Sequence, residues 1–324
     1  MIKVSLRKNT LAFRNNGYVL RSSLCRTYAS LSPLGVDQTV ENNLQTETNR
    51  LAKTFTKFWD NVTLNSDNDA LTVALDNKPI RTSLGHTLTV PKSRELLAIM
   101  LKNEWSSLPN LSIKPHSLPL TSIVSRCIDL ESVSKPGCDP DLVSKIGGDR
   151  VKLSEALLRY LDTDTLLCFS PHAEYEGTLR SAQNEMYLPI ISAIERFLSK
   201  FSSGPLRLQV LDADLHGLRG NAQSEEVREA ARKYLNTLNL WDFTVFEKTV
   251  LTTKSFICAI LLLESKAKCS SLNMKLSMEE IAKCATLETI YQTDRWGEVE
   301  DTHDVDKRDV RRNINAAAIV AYEE

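Results

Sequence analysis

"LTVALDNKPIRTSLGHTLTVP", residues 71–91, decides how the first part of this chain folds. Leu71, Val73 and Leu75 recur with a period of two, the mark of a strand with one buried face. Asp76-Asn77-Lys78-Pro79 reads as a turn, and alternation resumes at Leu88 and Val90 after Leu84-Gly85-His86. A small β region with hairpins is predicted. On its N-terminal side Leu51, Phe55, Phe58, Trp59 and Val62 recur at helical spacing and predict an amphipathic helix. On its C-terminal side "SRELLAIMLKNEWSSL" (93–108) predicts a helix with Ser93 as N-cap, and a second is expected from Pro119 to about Leu130. Trp59 and Trp105 complete apolar faces and are assigned to the core.

"SVSKPGCDPDLVSKIGG" (132–148) concentrates Pro, Gly, Ser and Asp, as a domain boundary or long loop does. Beyond it the reading is nearly all helix: Leu153 to Phe169, Glu174 to Phe201 with a kink at Pro189, Ser224 to Leu238, and Trp241 to Glu264. A further helix opens with the capping box Ser277-Met278-Glu279-Glu280, and the last begins near Thr302. "RLQVLDA" (207–213) is the one β-rich interruption. The expected fold is α+β: a small β-containing N-terminal domain over 47–131, a linker at 132–149, and a larger helical domain over 150–324.

The chain has 324 residues, 42 % apolar and 25 % charged, with 11 Gly and 11 Pro, which suits a folded protein with a sizeable core. Its longest apolar run, Phe256 to Leu263, falls well short of the roughly 20 residues a membrane span needs. Lys3, Arg7, Lys8, Arg14, Arg21 and Arg26 lie within residues 1–28, which contain no acid, and Ile2, Leu6, Phe13 and Leu20 share one helical side. This composition predicts a mitochondrial presequence cleaved after Tyr28, with residues 29–46 a flexible lead-in. Taking those six from the 40 basic residues leaves 34 against 41 acidic ones, a net of −7. No basic cluster offsets that balance, so nucleic acid is not an expected partner. Seven Cys without a Cys-x-x-Cys pair indicate neither a disulfide framework nor a zinc site.

Two stretches carry groups that could do chemistry. In "VLDADLHG" (210–217), Asp212, Asp214 and His216 would share one face of an extended strand and could ligate a divalent ion. In "RWGEVEDTHDVDKRDVRR" (295–312), Glu300 and His303 have the Glu-x-x-His spacing of di-iron carboxylate helices, but no other histidine has the matching Glu that a second copy requires. Asp301 and Asp304 also suit a helix N-terminus, and Asp309–Arg312 suits an i,i+3 pair. The aspartates of "RYLDTDTLL" (159–167) read as caps within a helical region. Phosphate-binding loops and nucleophile elbows are absent from the sequence.

Taken together, "LDNKPIRTSLGHTLTVP" (75–91), "HSLPLTSIVSRCIDL" (116–130), "LLRYLDTDTLLCF" (157–169), "EYEGTLR" (174–180), "WDFTVFEKTVLTTKSFI" (241–257) and "ATLETIYQTDRWGEVEDTHDV" (285–305) resemble the Atp-twelve (ATP12) family, in particular its fungal members. These are assembly chaperones of the mitochondrial ATP synthase. The resemblance implies a non-enzymatic matrix protein that binds the unassembled α subunit of F1-ATPase until a β subunit displaces it. No cofactor, nucleotide or membrane span is implied. It also implies a partner-contact role for Glu288, since the family has a Glu at this position. Trp296 is then expected as an anchor, with Glu298, Glu300, Asp301, His303 and Asp304 as a charged rim. The competing reading is a metal-dependent hydrolase using Asp212, Asp214 and His216, or Glu300 and His303.

Overall fold

The computed structural model describes residues 57–67, 69–109, 117–217, 220–267, 270–298 and 303–322, the side chains of 303–306 excepted. The alternating stretch becomes the central strand of an antiparallel sheet. Strand β1 (Val62–Ser66) pairs along β2 (Ala70–Leu75), Val62 opposite Leu75 and Ser66 opposite Leu71. Along β2, β3 (Lys78–Pro79) pairs with Ala74 and Leu75, and β4 (Thr89–Pro91) with Ala70 to Thr72. Leu71, Val73, Leu75, Leu88 and Val90 are buried, as the alternation requires. The β2–β3 hairpin turns on two residues, Asp76 and Asn77, with φ of 46° and 68°. A two-residue turn of this hand needs positive φ at both positions, which Asp and Asn tolerate. The Asp76 carboxylate also accepts the N–H groups of Asn61 (2.9 Å) and Asp60 (3.2 Å), fixing the entry to β1.

The helix expected across Leu51 to Val62 is corrected in the part that is described. Phe58 and Trp59 are non-helical and Val62 opens β1; Leu51 and Phe55 lie outside the described residues. Pairing with β2 outweighs the helical spacing, and Trp59 is buried against Trp105 with ring centroids 5.3 Å apart.

Helix α1 (Glu95–Ser106) lays Leu97, Ala98, Leu101 and Trp105 against the sheet. Ser93 falls in a preceding 3-10 turn and makes no cap. Helix α2 (Pro119–Val133) starts with proline, and its free N–H groups are taken by Glu104 of α1. That carboxylate accepts from Leu120 N (2.8 Å), Thr121 N (2.9 Å) and Thr121 Oγ1 (2.6 Å). Within the Pro- and Gly-rich stretch lies α3 (Pro140–Lys145), capped by Asp139, and α4 (Arg150–Leu158) follows, capped by Asp149.

The helix expected to run to Phe169 ends at Leu158 and gives way to 3-10 turns and strand β5 (Cys168–Phe169). Helix α5 (Thr178–Leu198) passes through Pro189 without a break. Pro189 is exposed, as is Glu185 one turn earlier, so the turn that lacks its hydrogen bond lies on the solvent side of the helix. Strand β6 (Leu211–Asp212) pairs parallel with β5 and runs into the single turn α6 (Ala213–His216). In α7 (Glu225–Thr237), Val227, Ala230, Ala231, Tyr234 and Leu235 form the buried stripe of an amphipathic helix.

The segment 241–264, expected as one helix, is two. Helix α8 (Leu240–Thr253) ends where Lys254 adopts a left-handed φ of 56°, and Ser255 then caps α9 (Phe256–Lys266). Every residue from Phe256 to Leu263 is buried, so α9 has no solvent face over two turns. Around it stand α8, α10 (Met278–Trp296) and α11 (His303–Ala321). Asp164, wholly buried, caps α9 from outside: it accepts from Ser255 Oγ (2.6 Å), Ile257 N (3.0 Å) and its own neighbour Leu166 N (3.0 Å). Burial pushes its pKa up to about 6 against the pull of those donors.

Arg126 of α2 makes a bidentate pair with Glu247 of α8 (2.9 and 2.8 Å) and donates to the Ile146 carbonyl (2.7 Å). The described residues fall in one compact unit, 35–324, and share an apolar cluster from Trp59 to Val320. They form the expected α+β arrangement, a small N-terminal sheet followed by a mostly helical remainder. None of the described helices is long and apolar enough to cross a membrane.

Candidate functional site

Helix α10 is anchored at one end and exposed at the other. Its start is the expected capping box: Ser277 Oγ accepts Glu280 N (3.2 Å) and Glu280 Oε2 accepts Ser277 N (2.7 Å). Ile281, Ala282, Cys284 and Leu287 bury its first half, and Thr286 departs from helical geometry with φ of −119°. Past that point the surroundings open. Glu288 is exposed and accepts from Gln292 Nε2 (3.0 Å), and among the described residues no cation pairs with it. Trp296, the last helical residue, is 69 % exposed. Gly297, at φ of 83°, ends the helix and leaves Glu298 in solvent.

A second element faces this end. The loop after β5 places Tyr175 and Glu176 in left-handed conformations, φ 47° and 55°, before Gly177 at 78°. Left-handed backbone costs a non-glycine residue about 1–2 kcal/mol, and such geometry persists only where neighbours hold it. Here Thr178 Oγ1 donates to the Tyr175 carbonyl (2.6 Å) and Ser181 Oγ to that of Gly177 (2.9 Å). The result is that the Tyr175 ring meets Trp296 at 5.6 Å and Tyr291 at 6.0 Å between centroids. Arg295 sits over Tyr175 (5.5 Å) and over Trp296 (5.9 Å). Burial first, then the negative charges of Glu288 and Glu174, push the Tyr175 hydroxyl pKa up. Three rings, one guanidinium and surrounding carboxylates thus share one face.

The structure brings together Glu288 and Trp296 on that face. Glu300 and Asp301 lie outside the described residues. His303 and Asp304 fall in the first turn of α11, their side chains outside what is described. The metal reading of Asp212, Asp214 and His216 is corrected. The extended run stops at Asp212 and a helical turn follows, so the period of two that would align the three ends there. Asp212 is committed to Arg180, whose hydrogen bonds hold its pKa at about 2. Asp214 pairs with His172 (2.5 Å), and His216 Nδ1 accepts Asp212 N (3.1 Å). Among the described residues no three His, Cys, Asp or Glu side chains are placed to hold a metal ion. Sequence reading missed Tyr175 and Arg295 as parts of the face. The signal was there in "EYEGTLR", where a Gly after two non-β-branched residues permits a left-handed turn, but which ring that turn would meet is a tertiary fact.

The family model described as "ATP12 chaperone protein" matches residues 56–195. "Protein ATP12, mitochondrial" of Saccharomyces cerevisiae is 56 % identical over 326 residues, covering 99 % of both chains. The chain belongs to the ATP12 chaperone family. "Protein atp12, mitochondrial" of Schizosaccharomyces pombe is 34 % identical over 267 residues, 82 % of each chain. Among solved structures, Atp12 from Paracoccus denitrificans aligns with a TM-score of 0.55 at 19 % identity, over 82 % of this chain and 98 % of that one. A candidate chaperone from Agrobacterium tumefaciens aligns at 0.61 and 20 %, over 88 % and 98 %. At these identities the two structures establish a shared fold. Membership agrees with the six motifs and makes the chain a member of a chaperone family whose two fungal relatives are mitochondrial. The expected presequence, residues 1–28, and the lead-in, 29–46, lie outside the described residues.

Proposed function

We propose that the chain binds the unassembled α subunit of F1-ATPase in the mitochondrial matrix, keeps it from aggregating, and releases it to the β subunit without catalysis. The observation that carries this reading is the exposed end of α10, where Trp296 and Glu288 stand on the surface. An isolated subunit of a ring exposes surface that assembly later covers, and such surface aggregates. A temporary partner needs a few aromatic anchors for affinity and charges for recognition and on-rate. Glu288 and Trp296 take those roles. Glu298, Glu300, Asp301, His303 and Asp304 are assigned to the rim on sequence grounds.

A pull-down from matrix extract with the mature chain tests this. Recovery of free α subunit without β supports it; recovery of assembled F1, or of neither subunit, overturns it.

A further inference from the structure

The aromatic face has a feature that plain apolar anchoring does not explain. Two of its three rings already carry a cation, and that cation belongs to the same helix as Trp296. Arg295 lies over Tyr175 at 5.5 Å and Trp296 at 5.9 Å. Among the described residues no carboxylate pairs with it, although Glu174, Glu288 and Asp294 are close by in the fold or sequence and exposed. The negative faces of the rings and the surrounding carboxylates therefore make one continuous electronegative surface with an exposed cationic side chain resting on it. Arginine suits such a seat better than lysine, because its planar, weakly hydrated guanidinium stacks on rings while donating sideways to carboxylates. A left-handed loop at Tyr175 and Glu176 maintains the arrangement, which a relaxed loop would not need to do.

We propose that the rings of Tyr175, Tyr291 and Trp296, together with Glu288 and Glu174, form a clasp for an arginine side chain of the partner protein, and that Arg295 occupies the clasp while the partner is absent. This deepens the reading that the face binds the F1 α subunit and rests on it for the partner's identity. The chemistry of the seat stands on the geometry alone. Arg295 holds the ring faces of Tyr175 and Trp296 in the free protein, and the incoming arginine competes with it for them. Release is correspondingly easy, since Arg295 can return as the partner's arginine leaves.

Two probes separate the clasp from the identity of its occupant. The first is the purified F1 α subunit and the second is a nona-arginine peptide, with a nona-glutamate peptide as control. Each is titrated into the full chain and followed by tryptophan fluorescence and calorimetry. Nona-arginine is expected to bind and nona-glutamate not to. Trp296→Ala should weaken nona-arginine by roughly tenfold, and Arg295→Gln should tighten it by roughly three- to tenfold, the range expected for one cation–ring contact. Both residues are exposed, so the fold should survive either change, which circular dichroism would verify. Competition between nona-arginine and the α subunit supports both proposals. If the α subunit binds but nona-arginine does not, or if Arg295→Gln weakens rather than tightens binding, the clasp is overturned and the chaperone reading stands. If nona-arginine binds with the expected variant pattern and the α subunit does not bind, the clasp stands and the partner assignment falls.

Discussion

Asp164 and Glu288 are both acids inside stretches that carry the family resemblance, and they stand in opposite situations. Asp164 is wholly buried and its oxygens are consumed by Ser255 Oγ and the N–H groups of Ile257 and Leu166. Glu288 is exposed and receives one hydrogen bond, from a side-chain amide a turn away on its own helix. The first carboxylate is needed to start the central helix α9 and join it to the turn at 165–167. The second does nothing for the fold that a neutral residue could not. Surrounding donors, rather than residue type or position in a motif, separate an acid committed to the fold from one left free at the surface.

The strongest way to break this comparison is Asp164→Ala. It leaves a buried hydroxyl and two buried N–H groups without acceptors, each costing about 1–3 kcal/mol. A loss of about 3 kcal/mol or more in chemical denaturation is expected, enough to threaten folding at physiological temperature. A loss below about 1 kcal/mol would show that the capping of α9 is dispensable. The same residue sets a pH dependence. Its folded pKa, about 6, lies above the ordinary value near 4, so the native state binds the proton more tightly than the unfolded chain between those values. Asp164 therefore contributes stability below about pH 4 that is lost as pH rises through about 6. The stability gap between the wild type and Asp164→Asn should accordingly widen, by about 2–3 kcal/mol, as pH falls from 7 to 4. A gap that stays constant would mean that Asp164 does not titrate in this range.

The two ends of α10 give a smaller version of the same contrast. Ser277→Ala removes the hydroxyl half of the capping box and should cost about 1 kcal/mol, without effect on partner binding. Changes at the far end should do the reverse.

Much of the fold was legible because its signals are local. The alternation at 71–75, the capping box at Ser277 and the helix at 224–238 each need only a few neighbouring residues, and each appears as expected. The turn read over 76–79 closes on Asp76 and Asn77 alone, because Lys78 and Pro79 pair as β3. Three of the failures share a cause: a distant group supplied what the local reading assumed the segment would supply itself. Val62 joined a strand because β2 was available to pair with it. The 241–264 helix broke at Lys254 because Ser255, held by Asp164 from 91 residues away, starts a new one. The metal triad dissolved because Arg180 and His172 claimed its aspartates. The candidate site was half legible. Glu288 was marked by the family resemblance and Trp296 with it, whereas Tyr175 reaches them only through a left-handed loop that brings residues more than 100 positions apart together.

Glu288→Lys is the change with the smallest expected effect on stability and the largest on recognition, and it tests the comparison from the other side. The side chain is exposed and mid-helix, Lys is as good a helix former as Glu, and the substitution removes an exposed hydrogen bond to Gln292. Stability should stay within about 0.5 kcal/mol of the wild type, as for other surface substitutions away from caps and cores. Binding of the F1 α subunit should fall by more than about tenfold, since the change replaces an attraction with a like-charge repulsion toward the arginine that the clasp is proposed to hold. Because charge reversal acts largely on encounter, most of the loss should appear in the association rate and shrink as salt is added. Equal losses of thermal stability and binding would make Glu288 a structural residue like Asp164. Intact binding at low salt would remove it from the interface and leave the rings to carry recognition alone.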